Sequence, residues 1–311
     1  MTVSLIIPVW NGGYWLDELL TALARQTLLP DEILLVDSGS TDNSLSIIRR
    51  HQTTNPAIRL LEIPQQDFDH GGTRTWAAQQ TSGEILICMS QDAIPAADDA
   101  LERLVRPFHD KDRLAATYGR QLPAQDATLF SEHLRRFNYP EQAQCRRWND
   151  RAKFGFKTIF ISNSFAAWRR EPLATAGYFP QRLLFGEDTL TLAKLLENGY
   201  DVLYVSEALV WHSHNYSIMQ EARRYFDIGV LHAEEQALLR QFGGAGGAGR
   251  QYVRSELALL LARKKYQLLP EWFCRNAGKF IAYQLGRRHR LLPRSWAKTL
   301  SMNPGWQGWA R

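Results

Sequence analysis

The stretch "DEILLVDSGSTDNS", Asp31 to Ser44, decides how this chain folds. Its first half is a short branched apolar run, Ile33 to Val36, that stops at a carboxylate, Asp37. A run of that length bounded by turn residues reads as a buried strand rather than a helix. The second half, "SGSTDNS", is turn chemistry feeding a helix, with its Ser and Asp residues as capping candidates. A carboxylate at the end of such a strand sits where open α/β sheets gather their ligands.

The same alternation extends to both sides. Upstream, "VSLIIPVW" reads as a strand, Asn11-Gly12-Gly13 as a loop, and "LDELLTALARQ" as a helix with Leu16, Leu19, Leu20 and Leu23 on one face. Downstream, "AIRLLEIP" is a third strand, "GGTRTWAAQQT" a helix and "GEILICMS" a fourth strand, which runs into Ser90-Gln91-Asp92. Strands alternating with amphipathic helices predict an α/β fold on a mostly parallel sheet.

Residues 115–165 carry no clean period, and "RRFNYPEQAQCRRWNDRAKFG" reads as loops around short helices. "FISNSFAAWRREPL" resumes the strand-then-helix pattern. "GEDTLTLAKLLENGY" is a helix, with Leu190, Ala193, Leu196 and Leu192 inward and Gly199 as its stop. "DVLYV" and "ALVWHSH" read as two short strands. After Met219 the chain becomes helical and basic, interrupted by "GGAGGAG" (243–249), most simply a flexible linker. The expected division is residues 1–218 and 219–311.

The length of 311 residues, 45% hydrophobic and 22% charged, fits an ordinary globular protein with a sizeable core. The first strand begins almost at Met1, so no signal peptide is expected, and no apolar stretch approaches a membrane span. Three widely spaced cysteines predict reduced thiols in the cytoplasm and no disulfide or zinc framework. The net charge of +5 is uneven. Residues 219–311 hold 16 Lys+Arg against 6 Asp+Glu, leaving 21 against 26 in residues 1–218. A basic tail suits phosphates, whether of nucleic acid, anionic lipid or a lipid-linked substrate. Nucleic acid is the poorest fit, because no recognition motif accompanies the charge.

Several residues stand where chemistry is done. Asp37 and Asp92 follow separate strands, Asp42 reads as a helix cap, and "GED" puts Glu187 and Asp188 at a helix N-terminus. His212 and His214 lie two apart, so on an extended segment both point the same way. "DFDHGGTR" offers Asp69, His70 and Arg74 beside glycines that allow close backbone approach. Turn formation, capping or a surface ion pair would account for any one of them singly.

Their order is more specific. "VSLIIPVWN", "DEILLVDSGSTDNS", "SGEILICMSQDAIP" and "AAWRREPLATAGYFPQRLLFGEDTLTLAKLLENGYDV" together resemble the inverting GT-A glycosyltransferases of family 2. "DFDHGGTR", "SQDA", "YGRQLP" and "WHSHNYS" look more narrowly like the bacterial rhamnosyltransferase branch, whose basic helical C-terminus is also similar. The resemblance covers residues 1–218 well and implies a Rossmann-like GT-A domain with a basic α-helical extension.

That resemblance also implies roles. Asp188 would be the general base that takes the acceptor's proton. Burial or Glu187 would then have to offset the helix N-terminus, which lowers a carboxylate's pKa. Pro8, Asp37, Asp69, His70, Arg74, Ser90, Gln91, Asn163 and Glu187 would line the sugar-nucleotide site, Arg74 suiting a phosphate. Most such enzymes carry Asp-x-Asp where this chain has Ser90-Gln91-Asp92. The missing first carboxylate more often touches ribose, which a hydroxyl or amide can also bond. Asp92 with His214 or His212 would hold Mg²⁺ or Mn²⁺. The implied donor is dTDP-β-L-rhamnose and the acceptor a lipid-linked bacterial surface glycan. The rival is a non-catalytic sugar-nucleotide-binding or scaffold subunit, motivated by the missing aspartate.

In the tail, Phe273, Ala277, Phe280, Ile281 and Leu285 share a helical face beside Arg275, Lys279 and Arg287 to Arg290. Trp272, Trp296, Trp306 and Trp309 add amphipathic anchors. The pattern fits an interfacial helix on an anionic membrane surface, or a helix packed on its own catalytic domain.

Overall fold

The computed structural model describes residues 1–243 and 246–310. Its first half is the expected alternation: β1 (Val3–Val9), α1 (Leu16–Ala24), β2 (Glu32–Asp37), α2 (Ser44–Gln52), β3 (Ile58–Glu62), α3 (His70–Gln79) and β4 (Ile85–Met89). Leu16, Leu19, Leu20 and Leu23 of α1 are all buried, as their spacing requires. Two-residue β5 (Ile94–Pro95) and α4 (Ala100–Val105) lead into β6 (Leu114–Leu122), a full strand where the sequence shows no clean period.

Next come α5 (Leu129–Asn138), β7 (Gln144–Arg146), α6 (Arg151–Phe154), β8 (Phe165–Arg169), α7 (Arg170–Thr175) and α8 (Glu187–Glu197). Leu190, Leu192, Ala193 and Leu196 of α8 face inward, and Gly199 behind it takes the left-handed φ of +87°. The two short strands expected near the end are one, β9 (Asp201–Trp211). They are parted only in register: Gly119 of β6 lies opposite Val205, yet Arg120 lies opposite Leu209. Ser206 to Ala208 bulge out between, which breaks the alternation a reader relies on.

The sheet order is β3-β2-β1-β4-β8-β6-β9-β5, with β7 also on β9. β1 to β4, β6 and β9 run one way, and β5, β7 and β8 the other. The sheet is therefore mostly parallel, with apolar cores on both faces, as buried parallel strands demand. The ends of β2, β4 and β9 carry Asp37, Ser90-Gln91-Asp92 and His212 to one edge.

From Ile218 onward the regular elements are helical: α9 (Ile218–Glu234), α10 (Gln236–Leu239), α11 (Gly246–Ala262), α12 (Leu269–Arg287) and α13 (Arg294–Leu300). The expected linker at 243–249 is revised, since α11 begins inside it at Gly246; residues 244 and 245 lie outside the described residues. No helix among the described residues is long and apolar enough to cross a membrane.

α12 lies along α9, with its faces reversed from the alternative in which it packs on the catalytic domain through Phe273, Phe280 and Ile281. Arg275 and Lys279 are buried, whereas Phe273, Phe280 and Ile281 are 66%, 64% and 57% exposed. The inward turn of the charges has a cause on α9. Arg275 pairs with Glu221 at 3.0 Å and donates to the Tyr216 carbonyl at 2.9 Å, and Lys279 also faces Glu221. The helices meet at Gly229 and Gly286, where a Cβ on Gly286 would come within 2.0 Å of the Phe226 carbonyl oxygen. Trp309 and Trp306, expected as surface anchors, instead join Leu184, Phe226 and Val230 in a separate small core. Trp306 Nε1 donates to the Arg182 carbonyl at 2.9 Å, and Asn303 Nδ2 to that of Leu184 at 3.5 Å.

Candidate active site

The end of β4 and the end of β9 bring Asp92, His212 and His214 together. One donor atom from each lies within 4.8 Å of the others. His212 Nε2 is 3.4 Å from Asp92 Oδ1, and His214 Nε2 is 3.7 Å from Asp92 Oδ2. Burial pushes the Asp92 carboxyl up, but the His212 hydrogen bond and the charges of both histidines outweigh it and hold the group below the usual carboxylate range. Burial, helped by the charge of His212, lowers His214 to about 4, so it is neutral with a free lone pair at pH 7. An ionised carboxylate beside imidazole lone pairs is a donor set that fits a divalent cation. Tyr216 stacks on His214 with ring centroids 5.2 Å apart, and α12 holds Tyr216 through Arg275. Neither contact is readable from "WHSHNYS".

The second cluster starts where α8 begins. Asp188 Oδ2 accepts the Asn163 main-chain N–H at 3.0 Å, and its Oδ1 accepts Thr189 N–H at 2.7 Å. Burial first, then the neighbouring Glu187 charge, raise Asp188 to about 7. This is the offset to the helix N-terminus that a base at this position needs. Glu187 is buried but ionised: burial pushes it up, and the Arg74 and His70 charges outweigh that. Arg74 Nη1 donates to Glu187 Oε1 at 2.9 Å.

Arg74 thus differs from both expectations. It is 6% exposed, so the ion pair is no surface bridge, and its guanidinium turns to Glu187 where a phosphate contact was expected. His70 beside it is held neutral, chiefly by burial and then by the charge of Arg74. Asp69 caps α3 through Gly72 N–H at 2.6 Å, and its other oxygen accepts Arg182 N–H at 3.1 Å. The glycine at 71 admits the chain itself rather than a ligand, since a Cβ there would meet the Pro180 carbonyl oxygen at 1.8 Å.

At the nucleotide end, Asp37 is 1% exposed. Its Oδ2 accepts Gly39 and Ser40 N–H at 3.0 and 2.9 Å, the expected turn chemistry, while buried Oδ1 has no partner. That orphan oxygen is available to a ligand N–H or O–H. Pro8 pairs with Val36 one residue before Asp37. Asp42 acts as a clasp, accepting from Ser44 and from Gly13 N–H. Gln91 spends its amide on Trp10, accepting N–H at 2.9 Å and donating to the carbonyl at 3.0 Å, so any ribose contact must share it.

Three consecutive residues join these clusters. Ser162 Oγ accepts from Gln121 Nε2 at 3.2 Å, Asn163 bonds both Asp188 and Glu187, and the Ser164 carbonyl accepts Ser90 N–H at 3.2 Å. Asn163 was expected at the donor; its side chain is 2% exposed and donates to Glu187 at 3.3 Å while accepting Trp168 Nε1–H at 2.9 Å. Ser162, Ser164 and Gln121 were not singled out from the sequence, although "SNS" and "YGRQLP" contain them.

The chain is similar to known proteins in both sequence and fold. Residues 4–176 match the model of the family described as glycosyl transferase family 2. Over 97% of this chain and 95% of the relative, the sequence is 40% identical to the O-antigen chain rhamnosyltransferase RfbN of Salmonella typhimurium. It is 39% identical to the O-antigen chain rhamnosyltransferase WbaN of Salmonella anatum, over 96% and 93% of the two chains. Among solved structures, the fold is similar to the mannosyltransferase PcManGT from Pyrobaculum calidifontis in complex with GDP-Man and Mn²⁺. That match has a TM-score of 0.63 at 19% identity and covers 91% of this chain and 86% of that one. With a GT-A-like sheet, carboxylates and histidines at its ligand edge, and a family match over more than half its length, this chain belongs to the family 2 glycosyltransferases.

Proposed function

We propose that the protein transfers L-rhamnose from dTDP-β-L-rhamnose to a hydroxyl of a growing, lipid-linked O-antigen glycan, with inversion. The observation that carries this reading is the 40% identity, over nearly the full length of both chains, to a relative named as an O-antigen chain rhamnosyltransferase. In the reaction, Asp188 takes the proton of the acceptor hydroxyl as that oxygen attacks the anomeric carbon opposite the departing dTDP. Asn163 and Thr189 N–H fix the carboxylate, and the Arg74–Glu187 pair fixes the helix end that carries it. Asp92, His212 and His214 would hold the divalent ion, and their mixed oxygen and nitrogen donors suit Mn²⁺ better than Mg²⁺, which prefers oxygen alone. When bound, that ion supplies positive charge against the leaving diphosphate. Asp37 offers its free oxygen to the base or ribose.

Residues 1–218 act as the catalytic domain, and 219–311 seat it on the inner face of the cytoplasmic membrane. Support for the latter is the exposed Phe273, Phe280, Ile281, Leu291 and Trp296, set among exposed Lys264, Lys265, Arg288, Arg294 and Lys298. Apolar groups enter the lipid boundary while cations meet anionic headgroups. The test is dTDP release from dTDP-rhamnose with a lipid-linked glycan acceptor and Mn²⁺. Release that needs the acceptor and exceeds that from other nucleotide sugars supports the reading; faster turnover of another donor refutes it.

A further inference from the structure

Gln121 sits near the end of β6, and His212 follows the last residue of β9, held in the ladder by its N–H to the Leu122 carbonyl at 3.0 Å. Gln121 is 2% exposed and His212 6%, so their contact is sealed from water. His212 Nδ1 lies 2.9 Å from Gln121 Oε1. Which amide atom faces the ring is settled by chemistry. Arg135 Nη1 reaches the same atom at 2.5 Å, and a guanidinium can only donate. The other end of the amide reaches Ser162 Oγ at 3.2 Å. An NH₂ placed between Arg135 and His212 would face a donor at contact distance, so the oxygen must be there.

An acceptor facing Nδ1 fixes the proton on Nδ1. Nε2, the atom that faces Asp92, is then the one ring position at which a cation can take the place of a proton. We infer that Gln121, clamped by Arg135 and Ser162, is a positioning residue that locks His212 in the Nδ1–H tautomer and so makes Nε2 a ready divalent-cation ligand. This rests on reading Asp92, His212 and His214 as the metal site. Partners of this kind beyond the ligands fix ring orientation and basicity, and their loss typically costs about 10–100-fold in metal affinity. The same lock explains the odd bulge at Ser206 to Ala208, which brings β9 back into register with β6 at Arg120 and sets His212 beside Gln121.

The experiment has two arms on the full-length protein. In metal-free protein at neutral to mildly alkaline pH, ¹⁵N NMR assigned with His212→Gln should show a proton on Nδ1 of His212, whereas neutral free imidazole favours Nε2–H and a bare Nδ1. In the second arm, Mn²⁺ alone is titrated by EPR. Gln121→Leu should weaken binding about 10–100-fold, and Gln121→Glu, whose carboxylate accepts the same Nδ1–H, should return it to within a few-fold of wild type. An Nε2–H tautomer in the wild-type protein overturns the inference without any variant. So does wild-type Mn²⁺ affinity in a folded Gln121→Leu. Absence of Mn²⁺ binding to the wild type overturns the metal-site reading and the inference with it, whereas equal binding by wild type and Gln121→Leu overturns the inference alone.

Discussion

The Asn163 main-chain N–H meets the Asp188 carboxylate at 3.0 Å, while the Asn163 side chain meets Glu187 at 3.3 Å. One residue thus holds two adjacent acids of opposite character, one ionised and one near its titration point. Asp188→Asn should keep donor binding and lose about 10²–10⁴-fold in transfer, the usual worth of a general base. Turnover close to wild type at saturating acceptor would place the base elsewhere.

The same pair sets a pH dependence. Transfer should rise with pH through about 7, as Asp188 gives up its proton. Stability should move the opposite way. The folded-state pKa lies above the ordinary 3.8, so between about 4 and 7 the folded protein binds more protons than the unfolded chain. Stability contributed by this group is then present at low pH and falls as pH rises through that window. Melting curves of wild type and Asp188→Asn across pH 4–7 should diverge, with the flatter profile in the variant.

Arg74→Met should be costly even without contact to substrate. It strands the buried Glu187 charge, and breaking one partner of a buried pair typically costs about 3–5 kcal/mol. Urea denaturation measures that loss. In whatever fraction folds, the midpoint of the activity profile should move upward, because Arg74 also lowers the Asp188 pKa.

Asp92→Ala should abolish Mn²⁺-dependent donor binding, whereas Ser90→Ala should change it little, since a hydroxyl does not grip the ion. Calorimetry with dTDP and Mn²⁺ separates the two. Equal losses, or full activity in excess EDTA, would sink the single-aspartate arrangement.

Phe280→Asp with Ile281→Asp should abolish flotation with anionic vesicles and leave the melting temperature unchanged, because both side chains are already in solvent. Binding by the wild-type protein should weaken with added salt, as exposed charges are screened beyond about 8–10 Å. Vesicle binding that survives the double substitution would move the contact off α12.

How much of this was legible depended on whether a residue's partners lay nearby in the chain. β1 to β4 are short, mostly apolar runs closed by turns, and the sequence shows them plainly. β6 is less plain, because Thr117, Gly119, Arg120 and Gln121 interrupt its apolar run. Each of three has a tertiary reason: Thr117 bonds the Leu104 carbonyl, Gly119 makes room for Phe165, and Gln121 meets His212. Local rules fail where tertiary contacts or function override them. The carboxylates and histidines of the site stood out by type and order, but Arg74's turn toward Glu187 spans 113 residues and left no local trace. Which face of α12 turns inward is left open by the sequence for the same reason, since Glu221 and Tyr216, the partners of Arg275, lie on and just before α9.

The bond from Trp306 to the Arg182 carbonyl bears on how such chains can diverge. Arg182 also donates to Asp69, and the segment from Arg182 to Phe185 leads straight into the helix that carries Asp188. The segment around Trp306 is therefore tied to the loop that leads into the helix carrying Asp188. Exchanging residues 219–311 with those of a relative would replace that tie along with the small core around Leu184, so the two regions are expected to evolve as one unit, with compensating changes on both sides of the 182–185 seam.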